Sequence, residues 1–286
     1  MIKSKVFLLL GAGGQLAKEF QIVAARQGLK LSAPAEEASD ITNTNQLEKT
    51  VHAAKPDAII NCAAYNLVDE AQAQPSLAFA VNGDAVDHLA SLCKKNNIFL
   101  VHYSSDYVFD GQKDELYIEE DGPNPINVYG ESKLKGEEAV QSQLDDYLLL
   151  RLSWVFGMGQ QNFLFKLWQW AKKQDVLKIS SDEVSVPTYT QDVVNATFLS
   201  LEKGLKGLYH LTNSGYCSRF ELAKYFFEKM QLKNKLVPTP QSEFNLKAKR
   251  PAFSAMSNGK LVRRLKKEIP DWKDAVDRYV KRTVFK

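Results

Sequence analysis

The sequence predicts an α/β chain, a doubly wound parallel sheet with a smaller α+β lobe. Three observations predict it. Short continuous apolar runs alternate with amphipathic helical stretches through the first half. The first apolar run ends in a glycine-rich turn that opens a helix. Past residue 152 the alternation gives way to separate helical faces and short extended pieces.

Val6–Leu10 (VFLLL) is apolar throughout and reads as a strand buried on both faces. Gln15–Gln27 is helical and Gly28 closes it. Residues 29–31 form a short second strand. Residues 46–54 are helical, and Pro56 ends that stretch. Residues 58–62 (AIINC) make another buried strand, followed by the small Ala63 and Ala64. Across 75–95, Ala78, Val81, Ala85, Leu89 and Leu92 form one helical stripe. Residues 98–103 are a strand, 129–143 a helix and Tyr147–Leu152 a strand.

Further on, Phe163, Leu164, Leu167, Trp168 and Ala171 share one helical face, and Phe220, Ala223, Phe227 and Met230 another. Residues 208–212 (LYHLT) read as a strand, 236–240 as extended, and 272–280 as a last short helix. The expected division is a sheet domain over 1–152 with later returns near 176–212. Residues 153–286 form mainly the smaller lobe, interleaved with it and set over the carboxyl edge of the sheet.

Composition sets outer limits. The 286 residues are 44% hydrophobic and 25% charged, ordinary for a globular protein. A net charge of +3, from 37 basic and 34 acidic side chains, is too balanced for a nucleic-acid or anionic-membrane binder. Cys62, Cys93 and Cys217 are odd in number and match no zinc spacing, which suits a reducing cytosol. The apolar run before Gly11 is too short for a secretory signal, and no run approaches a membrane span. The expectation is a cytoplasmic protein without a nucleic-acid or membrane partner, for which a homodimer is allowed.

The turn Gly11-Ala-Gly-Gly-Gln-Leu-Ala17 carries the first chemical signal. Glycines there permit a tight turn and let backbone N–H groups approach a pyrophosphate at a helix N-terminus. The pattern matches the Rossmann dinucleotide fingerprint, with alanine as an accepted last residue. The marker of cofactor choice is weak. The second strand runs into Ser32-Ala33-Pro34, without an acid for the ribose of NAD or an arginine for NADP. Glu36 and Glu37 read as solvated. Asp40 either contacts the cofactor or helps cap the next helix. NADPH and NADH both stay open.

Tyr129 and Lys133 stand at i and i+4, on one face of a helix. A nearby ammonium favours phenolate, so Lys133 is expected to lower the pKa of Tyr129 and tune it as an acid toward a carbonyl oxygen. Ser104 and Ser105 follow a buried strand, at the sheet edge where ligands bind, and both are candidates to hold that carbonyl.

The set of motifs is similar to the extended short-chain dehydrogenase/reductase superfamily and, within it, resembles the dTDP-4-dehydrorhamnose reductase family. The matching segments are 11–16 (GAGGQL), 40–42 (DIT), 61–69 (NCAAYNLVD), 103–111 (YSSDYVFDG), 129–137 (YGESKLKGE) and 151–157 (RLSWVFG). Pro187-Thr188 with Asp192, 207–211 (GLYHL) and Arg250-Pro251 complete them, in the family's order over nearly the whole chain.

The resemblance implies reduction by NADPH or NADH of the C4 keto group of a nucleotide-linked 4-keto-6-deoxyhexose. It implies a catalytic triad of Ser105, Tyr129 and Lys133, with serine where threonine is usual. Cofactor contacts then fall on Gly11, Gly14, Gln15, Leu16, Asp40, Ala63, Ala64 and Tyr65, besides Tyr129 and Lys133. Substrate contacts fall on Val68, Asp106 and Trp154.

Two departures touch the sugar side. The family's Asp-Gln-x-Gly-x-Pro-Thr is here Asp182-Glu-Val-Ser-Val-Pro-Thr188, and its usual threonine after Ala-Ala-Tyr is Asn66. Within the superfamily an epimerase or dehydratase is the alternative enzyme. A non-catalytic NADP-binding regulatory subunit is the alternative outside catalysis.

Other features are weaker. Lys247, Lys249 and Arg250 form a basic cluster, either a diphosphate contact, for which Arg250 is the candidate, or a solvated loop. His52, His88, His102 and His210 are scattered and read as structural. Asp69 and Glu70 are adjacent and project apart on a helix. No residue cluster calls for a metal.

Overall fold

The computed structural model describes residues 2–283. Five strands open the chain: β1 (Val6–Leu10), β2 (Lys30–Ser32), β3 (Ala58–Asn61), β4 (Phe99–Ser105) and β5 (Tyr147–Leu152). With the strand Gly207–His210 they form one six-stranded sheet, parallel at every pairing. From one edge the order is β2, β1, β3, β4, β5, Gly207–His210. The chain leaves β1 toward β2 and then returns across it to β3. A crevice therefore opens above the carboxyl ends of β1 and β3, the topological switch point where such sheets take ligands.

The apolar runs are explained by burial on both faces. Phe7 and Leu9 pack with Phe20, Ile60, Leu150 and Phe198, while Leu8 and Leu10 pack on the opposite face with Leu47, Ile59, Leu89 and Leu100. The helix Gln15–Gln27 ends where Gly28, at φ 67°, turns its N–H back onto the carbonyls of Ala24 and Ala25.

The expected single helix over 75–95 is three pieces. Pro75–Phe79 is α-helical, Ala80–Asp84 is a π-helical turn, and Ala85–Asn96 is α-helical again. The extra residue brings Asn82 into the interior, where it is 1% exposed.

The second half builds a lobe around Phe156, Leu164, Trp168, Tyr189, Phe226, Trp272 and Tyr279. The helix Thr190–Glu202 and the strand Gly207–His210 return to the main sheet, through Val193 and Phe198 and by pairing with β5. Val176–Ser180 does not; it pairs in parallel with Lys235–Thr239 inside the lobe. A later return lies beyond 212, because the helix Gly259–Leu265 sends Leu261 and Leu265 into the main-sheet core.

Candidate active site

The carboxyl ends of β1, β3, β4 and β5 meet at a cleft of about 630 Å³. Gly14, Gln15 and Leu16 form one wall, and Ala63, Ala64 and Tyr65 a second. Ser104, Ser105, Asp106, Tyr129, Lys133 and Trp154 close it. Sequence-distant candidates are thus brought together. Gly11, Asp40 and Val68 do not line this cleft, and Arg250 lines a neighbouring one of about 800 Å³.

Gly11 has a supporting place. It sits at φ 73°, and a Cβ there would stand 2.6 Å from the backbone nitrogen of Ala63. Only glycine lets the turn after β1 close against the segment after β3. Gly14 begins the helix in extended conformation, and a Cβ on it would meet nothing nearer than the Gly11 carbonyl at 3.4 Å. Gln15 donates from Nε2 to the Val155 carbonyl at 3.1 Å, tying the turn to the chain after β5.

Asp40 spends Oδ1 on the N–H and hydroxyl of Thr42, at 2.9 and 2.7 Å. The next helix is capped instead by Asn43, which accepts from the Gln46 N–H.

Lys133 is 2% exposed and donates from Nζ to the Tyr103 carbonyl at 2.7 Å. Two ammonium protons remain for a partner in the cleft. Burial pulls its pKa down to about 8, against the pull of Glu137. Glu137 itself is forked by Arg151, at 2.9 and 2.7 Å.

Tyr129 donates to Asn66 Oδ1 at 3.3 Å and packs edge-on to Tyr107 with centroids 5.8 Å apart. Its pKa is pushed up to about 12, chiefly by desolvation, while the Ser105 hydroxyl pulls it down and the Asp106 charge adds to the rise. The expected lowering by Lys133 therefore does not hold in the free chain: burial raises the pKa, and the ammonium is turned onto the Tyr103 carbonyl. A phenol this weakly acidic keeps its proton at neutral pH and enters a reaction as an acid.

Ser105 donates to Asp106 Oδ1 at 3.1 Å and accepts from the Tyr107 N–H at 3.2 Å. Ser104 is also buried, and among the described residues its hydroxyl has no partner. Asp106 is 2% exposed, and its Oδ2 accepts from Ser185 and Ser254 at 2.8 and 2.6 Å. Burial raises its pKa to about 6, and the three hydroxyls restrain the rise. With both oxygens already hydrogen-bonded, Asp106 is placed to hold Ser105 as much as to meet a ligand.

Trp154 stands at φ 38°, a left-handed conformation that a bulky residue adopts only when its surroundings impose it. It lines both cavities.

Several contributors had no role assigned from the sequence. Asn82 Oδ1 accepts from the Tyr65 N–H at 2.9 Å, and its Nδ2 donates to the Tyr65 carbonyl and to Ser132 Oγ, both at 3.0 Å. Ser132 in turn donates to the Tyr129 carbonyl at 2.8 Å. One buried amide thus joins the second cleft wall to the helix that carries Tyr129. Glu183 and Ser185, in the segment 182–188 that departs from the family pattern, and Ser254 arrive from the lobe, and no local spacing signals their contacts. Among the described residues no group of histidine, cysteine and carboxylate side chains could hold a metal, and no helix is long and apolar enough to cross a membrane.

A family model described as the RmlD substrate binding domain matches residues 5–285. The dTDP-4-dehydrorhamnose reductase of Burkholderia thailandensis is 36% identical over 286 residues, covering 94% of this chain and 96% of that protein. Among solved structures, the dTDP-4-dehydrorhamnose reductase of Bacillus anthracis, in complex with NADP, superposes with a TM-score of 0.94 at 31% identity, covering 98% and 99% of the two chains. The Clostridium acetobutylicum enzyme of the same name gives 0.92 at 31% identity, over 96% and 98%. With this fold, this cleft and matches over nearly its whole length, the chain belongs to the dTDP-4-dehydrorhamnose reductase family of extended short-chain dehydrogenases/reductases.

Proposed function

We propose that this protein reduces the C4 keto group of dTDP-4-dehydrorhamnose to give dTDP-rhamnose, using NADPH or NADH. The observation that carries this is the convergence of Ser105, Tyr129 and Lys133 with Gly14, Gln15 and Leu16 in one cleft of a chain of this family, with Gly11 closing the turn behind them. The cradle suits a dinucleotide: Gly14 opens onto the cleft at the start of the helix, a Cβ on Gly13 would meet nothing within 4 Å, and Lys133 keeps donors to spare.

When bound, the reduced nicotinamide supplies the hydride. Tyr129 donates its proton to the C4 oxygen as charge develops there, and Ser105 orients that oxygen by a hydrogen bond. Lys133, anchored on the Tyr103 carbonyl, holds the cofactor ribose and presents a positive charge that favours loss of the Tyr129 proton. Asn66, now the acceptor of the Tyr129 hydroxyl, must yield it to the substrate oxygen. Trp154 forms the wall against which the deoxysugar lies. Three free thiols suit a cytoplasmic setting.

The test is oxidation of NADPH and NADH across a panel of nucleotide-linked 4-keto sugars. Turnover with dTDP-4-dehydrorhamnose and an exchangeable cofactor is expected. Inactivity on the whole panel, or a cofactor that co-purifies and does not exchange, would contradict the proposal. An intact Ser105, Tyr129 and Lys133 set weighs against a purely regulatory subunit.

A further inference from the structure

The 800 Å³ cavity beside the cleft is bounded by four cationic side chains, Lys166, Lys178, Arg219 and Arg250, against two carboxylates, Asp69 and Glu183. Its charge favours an anion. Lys166 and Lys178 are exposed, and Lys178 is paired with Glu243 at 3.2 Å.

Arg250, the sequence candidate, has three of its five N–H donors committed. Its Nη1 donates to Asp69 Oδ1 and the Ala248 carbonyl at 3.2 and 2.9 Å, and its Nη2 to Asp69 Oδ2 at 2.6 Å.

Arg219 is placed differently. Its guanidinium lies 3.6 Å over the Trp154 ring and 4.9 Å from the Phe163 ring. Its only side-chain hydrogen bond among the described residues runs from Nη2 to Glu183 Oε1, at 3.3 Å. Four of its five N–H donors are therefore uncommitted, on a side chain held flat and 19% exposed. Arg219 also begins the helix Arg219–Met230, where a cation opposes the helix dipole. Helix stability does not account for it.

Glu183 ties the arginine to the chemistry. The Tyr107 hydroxyl donates to the same Oε1 at 3.2 Å, and Tyr107 packs on Tyr129. Trp154, under the guanidinium, lines both cavities, as do Val155, Gln161 and Lys166.

We propose that Arg219 receives the diphosphate of the nucleotide-linked substrate while its stacked guanidinium holds Trp154 as the wall of the sugar site. This rests on the nucleotide-sugar reading above. Glu183 aims the arginine and also sets a negative charge beside the anion. The two partners of this ion pair therefore have opposite effects on diphosphate affinity.

The test is calorimetric titration of the full-length protein with dTDP, with thymidine as the probe lacking phosphates. Arg219→Ala is expected to weaken dTDP roughly tenfold or more, as loss of charge-assisted hydrogen bonds does, with thymidine unchanged. Arg219→Lys should recover part of the loss, and remains informative if the alanine variant folds poorly. Glu183→Gln should bind dTDP as tightly as wild type or more tightly.

Wild-type dTDP affinity in Arg219→Ala would overturn the proposal and leave the reductase reading standing. So would parallel losses of dTDP and thymidine in Arg219→Ala and Glu183→Gln, the mark of a purely structural pair. Wild-type protein that binds no dTDP would overturn this proposal and the nucleotide reading beneath it. Absent reductase activity with dTDP binding still dependent on Arg219 would strike only the proposed reaction.

Discussion

Asp106 and Lys133 are buried beside Tyr129 and displaced toward each other, to about 6 and about 8. Between those values Asp106 is ionised and holds the serines, and Lys133 is protonated. The pH profile of kcat/KM, which reports the free enzyme, should therefore fall below about 6 and above about 8. Asp106→Asn should remove the acid limb; an unchanged acid limb in that variant would contradict the assignment.

The stability effect has the opposite sense. Asp106, raised above the usual carboxylate range, contributes stability only in acid, and loses it as pH rises through about 6. Lys133, depressed, contributes stability above the usual lysine range and loses it as pH falls through about 8. The working window is where both buried charges cost the fold most. Lys133→Met should accordingly lose activity yet melt at pH 7 no lower than wild type. A fall of several degrees in Tm would show that Lys133 supports the fold rather than burdens it.

The Tyr129–Lys133 pair was legible in the sequence because four residues of helix fix its geometry. The Ser185 and Ser254 contacts to Asp106, and Arg219 over Trp154, were not. They join segments that only the folded lobe brings together.

At the scale of elements, strands buried on both faces and helices with one apolar stripe could be read in order, since each leaves a local period. The π-helical turn at Ala80–Asp84 could not. An apolar stripe spread over 75–95 does not resolve one added residue, and the reason for the turn is polar. It seats Asn82 where three hydrogen bonds join Tyr65 and Ser132. Asn82→Ala leaves those buried groups short of partners, so a loss of about 1–3 kcal/mol is expected in chemical denaturation. NADPH affinity should fall as well, because the Tyr65 backbone is released. An Asn82→Ala protein with wild-type stability and cofactor affinity would contradict this role. Val176–Ser180 is the other misplaced element. Its apolar alternation is that of a strand, but its partner, Lys235–Thr239, lies more than fifty residues away, and nothing local selects it over the main sheet.

At the scale of the whole molecule, ion pairs tie the lobe to the sheet domain. Arg250 forks Asp69, whose Oδ1 also accepts the N–H groups of Lys247 and Ala248 at 2.9 and 3.0 Å. The last helix reaches back through Arg282 to Glu19 at 2.8 Å, and through Arg278 to Asp192 at 2.6 Å. The first clamp borders the 800 Å³ cavity proposed for the substrate, and neither of its residues lines the cleft with Tyr129. Arg250→Ala should therefore raise KM for the sugar nucleotide several-fold and leave the NADPH dissociation constant near wild type. Equal losses in both would mean that the clamp holds the domains together generally. The two tied units matter because the proposed chemistry requires them at once: the sheet edge holds Tyr129, and the lobe is proposed to present the sugar. The most direct measurement is steady-state kinetics with dTDP-4-dehydrorhamnose and NADPH on wild type and Tyr129→Phe, with cofactor affinity measured in parallel. Active wild type, and a kcat reduced by about two orders of magnitude or more with little change in NADPH affinity, is the predicted result. A Tyr129→Phe enzyme that turns over like wild type would contradict the account.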